Sequence, residues 1–289
     1  MSGAWHIGVI GGSGLAGGVD LDNAQEIRVE SPFGEPSAAV TTGTLDGVRI
    51  TFLPRHGIGH AIPPAAVNYR ANVDVMKRCG VTDLVALSAI GSLNANMAPG
   101  HMVAVDQFID RTVSRAASFF GPGLVTHVSL ADPVCPRLAA GLADAVEAEE
   151  ARVHRGGCYV AIEGPQFSTR AESLLYRKWG GDVIGMTAMP EARLAREAEL
   201  PYALLGMVTD YDSWRTDEAG VDAASVLEVM AANTALAGQV LRRFIASLPK
   251  VRSASPIDTA LDHAIMTDPA QRDPVLVAKL QAVAGRVLQ

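Results

Sequence analysis

Cysteine is scarce in this 289-residue chain: Cys79, Cys135 and Cys158 are unevenly spaced and form no CxxC pair. That excludes a disulfide frame and a cysteine-ligated zinc centre, and it predicts buried thiols in a reducing compartment. Positive charge is never concentrated. The formal net charge is -7 with no long basic block, which argues against nucleic-acid partners and confines any anion site to a local cluster. No stretch approaches the roughly 20 apolar residues of a membrane span. The segment from Ser2 to His6 leads into a short, glycine-broken apolar run without the basic flank or length of a signal peptide, so a cytoplasmic protein with no membrane partner is expected. Internal repeats are also missing.

What is present is an alternation of short apolar runs with helical patterns. Strands are predicted at Ile7–Ile10, Val48–Leu53, Leu84–Ala89, Met102–Val105, Tyr159–Ile162, Val183–Met186 and Ala203–Val208. Several are continuously apolar, as in strands covered on both faces. Helices are predicted at Ala65–Cys79, Pro136–Glu149, Arg170–Trp179, Pro190–Ala198 and Val221–Phe244, with Pro190 in a first turn and Glu191 complementing its dipole. The order predicts an α/β sandwich around a central mixed sheet. Ser253–Pro269 reads as a linker or wrapping arm, followed by one amphipathic helix over Pro274–Leu288.

Several motifs fail on inspection. Gly12, Gly14 and Gly17 match a dinucleotide-binding GxGxxG, but no helical periodicity follows. Gly11-Gly12-Ser13-Gly14-Leu15 misses the nucleophile elbow of a serine hydrolase at its fifth position. His56 and His60 have a metal-like spacing, yet Gly57 and Gly59 work against a helix there and no metalloprotease glutamate accompanies them. No metal site is expected.

Two distant runs make sense together. Pro54-Arg55-His56-Gly57 would form a loop whose cation and imidazole donate to an oxyanion. Thr209-Asp210-Tyr211-Asp212 supplies two carboxylates, which diverge in a continuing strand but converge in a turn, beside aromatics suited to a heterocycle. Gly11–Gly14 after the first strand, Ser88–Ser92 at the end of a buried one, and Met186-Thr187 add small polar groups where α/β sheets bind ligands. Glu163–Arg170 brings an acid, an amide, Phe167 and hydroxyls to a strand-to-helix junction, with Thr169 placed to cap the helix. The pattern points to an enzyme that holds an anion and a purine-like base in one pocket.

Taken in order, these motifs with Asn68–Asn72 and Asp106–Thr112 resemble the trimeric purine nucleoside and methylthioadenosine phosphorylase family, over residues 6 to 245. The resemblance implies a phosphorylase/hydrolase-like three-layer sandwich spanning residues 1–250. An arm of residues 251–289 would pack on that domain or on a neighbouring subunit. It implies a homotrimer and phosphorolysis of 5′-methylthioadenosine to adenine and 5-methylthioribose 1-phosphate, an activity of purine and methionine salvage. Inorganic phosphate would be a co-substrate and no cofactor would be needed. Phosphate would be held by Ser13, Arg55, His56, Ser88, Ala89 and Thr187. Met186 would lie against the ribose, Phe167 and Ser168 near the base, and Val226 and Leu227 around the methylthio group. His127, in the apolar run Val125–Val128, would come from a neighbouring subunit. Asp210 and Asp212 would be catalytic on the N7 and 6-amino edge, Asp210 giving N7 a hydrogen bond or proton and Asp212 accepting from the amine. Ile90 would add bulk near the base and Ala223 would leave space near the 5′ substituent. A broad adenosine or 6-oxopurine phosphorylase, and a non-catalytic nucleoside-binding protein, are the alternatives.

Overall fold

A computed structural model describes residues 3–12, 20–215 and 223–288, with side chains described from residue 229 onward in the last segment. The eleven strands found among those residues belong to one sheet. They are β1 (His6–Gly11), β2 (Asp22–Ile27), β3 (Val40–Leu45), β4 (Val48–Pro54), β5 (Asp83–Ser92), β6 (Met102–Val105), β7 (Gln107–Asp110), β8 (Val153–Arg155), β9 (Cys158–Ala161), β10 (Val183–Gly185) and β11 (Tyr202–Asp210). The main path runs β2-β3-β4-β1-β5-β10-β9-β7, while β11, β6 and β8 continue from the other edge of β5. Parallel pairs such as β1 with β4 and antiparallel pairs such as β11 with β6 coexist, so the sheet is mixed.

Strand β5 shows why the core strands read as unbroken apolar runs. Its side chains alternate between two cores: Leu84 and Ala86 enter one, Val85 and Leu87 the other. The first core is closed by α1 (Tyr69–Arg78) and α4 (Ala188–Glu197), through Val73, Met76, Ala192 and Ala195. The second is closed by α2 (Pro136–Ala148) and α5 (Ala223–Ser247), through Leu138, Leu142, Val240 and Phe244. This is the helix–sheet–helix sandwich expected. A smaller cluster of Leu93, Val160, Tyr176 and Ile184 seats α3 (Arg170–Lys178) near the far end.

Two helical expectations change. The first helix starts at Tyr69, because Pro63 and Pro64 hold a separate short turn and Asn68 caps the helix by accepting the Ala71 N–H. The C-terminal helix is two, α6 (Pro274–Lys279) and α7 (Gln281–Leu288). Residues after 250 pack on their own chain: Arg252 ion-pairs with Asp83 and with Asp258, and Leu280, Val283 and Ala284 enter the first core.

Candidate active site

The site begins at a branch in the sheet. β5 runs parallel to β1 only as far as Ala86, opposite Ile10, and takes β10 as an antiparallel partner from Gly91. Along that edge, Leu87 to Ile90 open away from both neighbours. Arg55, just past β4, fills the base of the opening. Its backbone N–H donates to Gly11 O at 2.9 Å, and its guanidinium donates to Leu87 O at 3.1 Å and Ile10 O at 3.2 Å. Glu191 completes a two-point ion pair at 2.8 and 3.0 Å, both side chains at most 2% exposed. Tyr202 donates its hydroxyl to the same carboxylate at 3.0 Å.

Arg55 is therefore a buried, pre-set group rather than the loop donor expected. Four of its five N–H groups are committed, and one on Nη1 remains. Beside it the hydroxyls of Ser88 and Thr187, both buried, stand 3.2 Å apart, and Ala89 is half-buried at the opening. The Thr187 N–H donates to the hydroxyl of Tyr159 at 3.3 Å.

His56 also differs from expectation. Burial first, then the Arg55 charge, pushes its pKa down to about 4. The neutral ring is stacked on His60 with centroids 4.3 Å apart, and its Nδ1 is 2.8 Å from Ile62 O. A carbonyl only accepts, so Nδ1 carries the hydrogen and Nε2 presents a lone pair. The lone pair can accept a hydrogen bond from a phosphate hydroxyl, whose proton stays on the phosphate because the ring is the weaker base.

The other end of the opening is built by a bulge. β11 pairs Val208 with Ile90 but Asp210 with Gly91, so Thr209 is the extra residue and Asp210 is turned over Gly91. A Cβ at Gly91 would come within 2.9 Å of Asp210 Oδ1 and 3.5 Å of Asp212 Cβ. The two carboxylates do converge in a turn, in which the Asp212 N–H donates to Asp210 Oδ1 at 2.8 Å and Asp212 sits at φ 49°. The Thr209 hydroxyl donates to Asp210 Oδ2 at 2.7 Å. Burial raises the pKa of Asp212, and the charge of Asp210 adds to the effect. The Ser168 hydroxyl is a buried polar atom with no partner in the protein, as expected of a group that meets a ligand, while the Asp212 carboxylate lies against the buried Ser173 hydroxyl, which works against the rise in its pKa. Phe167 is 45% exposed alongside. The turn is held down by Trp214, whose Nε1 donates to Ser92 O at 2.9 Å under the Arg177 guanidinium.

Ile90 does not line the base as expected. Its side chain is 1% exposed and fills the space over Gly206, where a Cβ would come within 2.3 Å of Cδ1. Met186 packs on Gly164 at the junction of the two ends. His127 is exposed, its N–H donated to Ala264 O at 2.9 Å. Ser13 lies outside the described residues, and Ala223, Val226 and Leu227 lie outside those whose side chains are described. Tyr202, Tyr159 and the pairing of Glu191 with Arg55 were missed from sequence, because the partners come from different elements and leave no local spacing.

A model of the phosphorylase superfamily matches residues 6–246. The chain is 56% identical over 285 residues to the S-methyl-5′-thioadenosine phosphorylase of Cereibacter sphaeroides, and 52% over 285 residues to that of Bradyrhizobium diazoefficiens, with 98% of both chains covered in each comparison. Among solved structures it resembles a methylthioadenosine phosphorylase from an antarctic soil metagenomic library, with TM-score 0.90 and 43% identity over 97% of this chain and 99% of the other. A mutant adenosine/methylthioadenosine phosphorylase from Schistosoma mansoni, in complex with methylthioadenosine, has TM-score 0.78 and 35% identity over 84% of this chain and 91% of that one.

Proposed function

The chain belongs to the phosphorylase superfamily, and on that premise we propose that the opening along β5 seats inorganic phosphate at one end and 5′-methylthioadenosine across the other. The enzyme catalyses phosphorolysis of S-methyl-5′-thioadenosine to adenine and 5-methylthioribose 1-phosphate. The observation that carries this is one strand presenting both halves of the chemistry: Ser88 beside Arg55, and Gly91 beneath Asp210 and Asp212.

Breaking the C1′–N9 bond builds positive charge on the sugar and negative charge on the departing base. Phosphate supplies the nucleophile and the compensating charge, so the protein must hold it without neutralising it. Arg55 suits that task because Glu191 already balances its charge, leaving one N–H and the Ser88 and Thr187 hydroxyls as neutral-type donors. Asp210 faces N7; its oxygens already accept from the Thr209 hydroxyl and the Asp212 N–H, so it gives N7 a hydrogen bond or proton only as the protonated acid, and Asp212 accepts from the 6-amino group. A 6-oxopurine would place an acceptor against that carboxylate and is disfavoured. Ser13, His56 and Ala89 complete the phosphate seat, Met186 meets the ribose, Phe167 and Ser168 meet the base, and Val226 and Leu227 surround the methylthio group. The working form is a cytoplasmic homotrimer in which His127 reaches the 5′ end of a neighbour's substrate; its surface position supports that placement. No metal or cofactor enters the scheme.

One assay tests the reading: adenine release from methylthioadenosine and adenosine, and base release from methylthioinosine, with and without phosphate. Phosphate-dependent adenine release with methylthioinosine inert is expected. Binding without turnover would identify a nucleoside-binding protein instead, and preferred turnover of the oxopurine would refute the carboxylate assignment.

A further inference from the structure

Arg115, in the loop after β7, has a side chain only 2% exposed and joins four separate parts of the chain. Its Nε donates to Glu163 Oε1 at 3.1 Å. Nη1 reaches Tyr69 Oη at 3.0 Å, Met186 O at 2.6 Å and Met189 O at 2.7 Å, while Nη2 reaches Ile162 O at 3.3 Å and Glu163 O at 2.7 Å. Six acceptors thus surround five N–H groups, and the guanidinium also lies over the Tyr69 ring, 5.3 Å from its centroid. Glu163 is fastened in turn. Burial works against its charge, but the Val113 amide, Arg115 and the Ser114 hydroxyl and amide hold its pKa down to about 2.

Of the carbonyls that Arg115 grips, those of Ile162, Glu163 and Met186 belong to the exits of β9 and β10, the two strands whose ends approach the opening, and that of Met189 to the start of α4. Between them Gly164, at φ 68°, packs directly on Met186: a Cβ there would stand 2.5 Å from Met186 Sδ. Met186 is therefore held by its own carbonyl and, through Glu163 and Gly164, by the surface its side chain rests on. None of the Arg115 bonds reaches Asp210 or Asp212, which β11 and its turn carry, nor Phe167 and Ser168 further along the segment that begins at Glu163.

We propose that Arg115 is a positioning residue for the sugar side of the nucleoside site, acting through Met186, and that it leaves untouched the recognition of the base by Asp210 and Asp212. The proposal rests on the nucleoside phosphorylase reading. It separates two affinities that general damage would lower together: that for the whole nucleoside and that for free adenine.

The test is Arg115→Lys, which keeps the charge opposite Glu163 but has three donors for six acceptors. Methylthioadenosine KM at saturating phosphate should rise at least tenfold, with adenine Kd, by calorimetry, within threefold of the parent. Tyr69→Phe removes a single acceptor and serves if the lysine variant fails to fold; the same split is expected at two- to threefold amplitude. Equal loss of both affinities, or change in neither, overturns the assignment of Arg115. A parent protein without phosphate-dependent adenine release would instead overturn the underlying reading.

Discussion

Replacing Glu191 with glutamine tests whether the anion site is built on a balanced ion pair. Glu191 and Arg55 are 1% and 2% exposed, and the carboxylate accepts twice from the guanidinium and once from Tyr202. Glutamine keeps the shape but turns one acceptor oxygen into a donor amide, so either orientation sets donors against donors and leaves Arg55 buried without a counter-charge. Losing one partner of such a pair costs about 3–5 kcal/mol. In a chain of 289 residues that lowers Tm by roughly 5–8 °C. Phosphate should then serve as the missing anion, so added phosphate should raise the Tm of Glu191→Gln by more than it raises that of the parent. Differential scanning fluorimetry at pH 7, with and without phosphate, reads both quantities. Tyr202→Phe loses one neutral donor and should cost only about 1 kcal/mol. A glutamine variant within 1 °C of the parent, or one no more responsive to phosphate, would refute the reasoning.

Gly206→Ala should cost about 1–3 kcal/mol through the collision with Ile90 Cδ1, and Ile90→Val, which deletes that atom, should recover most of it in a double-mutant cycle by chemical denaturation; additive losses would contradict the contact. Burial raises the folded-state pKa of Asp212 above its unfolded value, so its contribution to stability is complete at low pH and is lost as pH rises through the folded pKa. Asp212→Asn should therefore be more thermostable than the parent at pH 7 and lose that advantage near pH 3; parallel pH–stability curves would rule this out. Asp210→Asn should lower turnover on methylthioadenosine by roughly a hundredfold and favour 6-oxopurine nucleosides, and steady-state rates at parental levels would remove it from the chemistry.

The covered strands were legible in sequence because burial on both faces leaves continuous apolar runs, as in Leu84 to Leu87. β2 was not: Asp22–Ile27 is exposed throughout and gains its conformation from pairing with β3, a tertiary cause without local signature. β3, β7 and β8 escaped for a similar reason, being short or partly buried. At the site, motif residues such as Arg55, Ser88, Thr187 and Asp210 could be nominated singly. Their settings could not. Glu191 read as a dipole partner in a helix, yet its carboxylate meets an arginine 136 positions away. Ile90 looked like a base contact because nothing in sequence places Gly206 across from its side chain.

The branch in β5 makes that strand a ruler. Ser88, at the anion end, and Gly91, under the base carboxylates, are three residues apart on a strand locked to β11 along Ser88–Gly206 and Ile90–Val208. At ~3.3 Å per residue the two ends stand roughly 10 Å apart, the interval that must hold attacking phosphate, C1′ and departing base in line, since phosphate and base bond to the same carbon. Backbone hydrogen bonding, not loop length, sets this interval. Variation among substrates can then be accommodated at the 5′ end and at the edges of the base, while the line of displacement through C1′ is set by the pitch of the sheet.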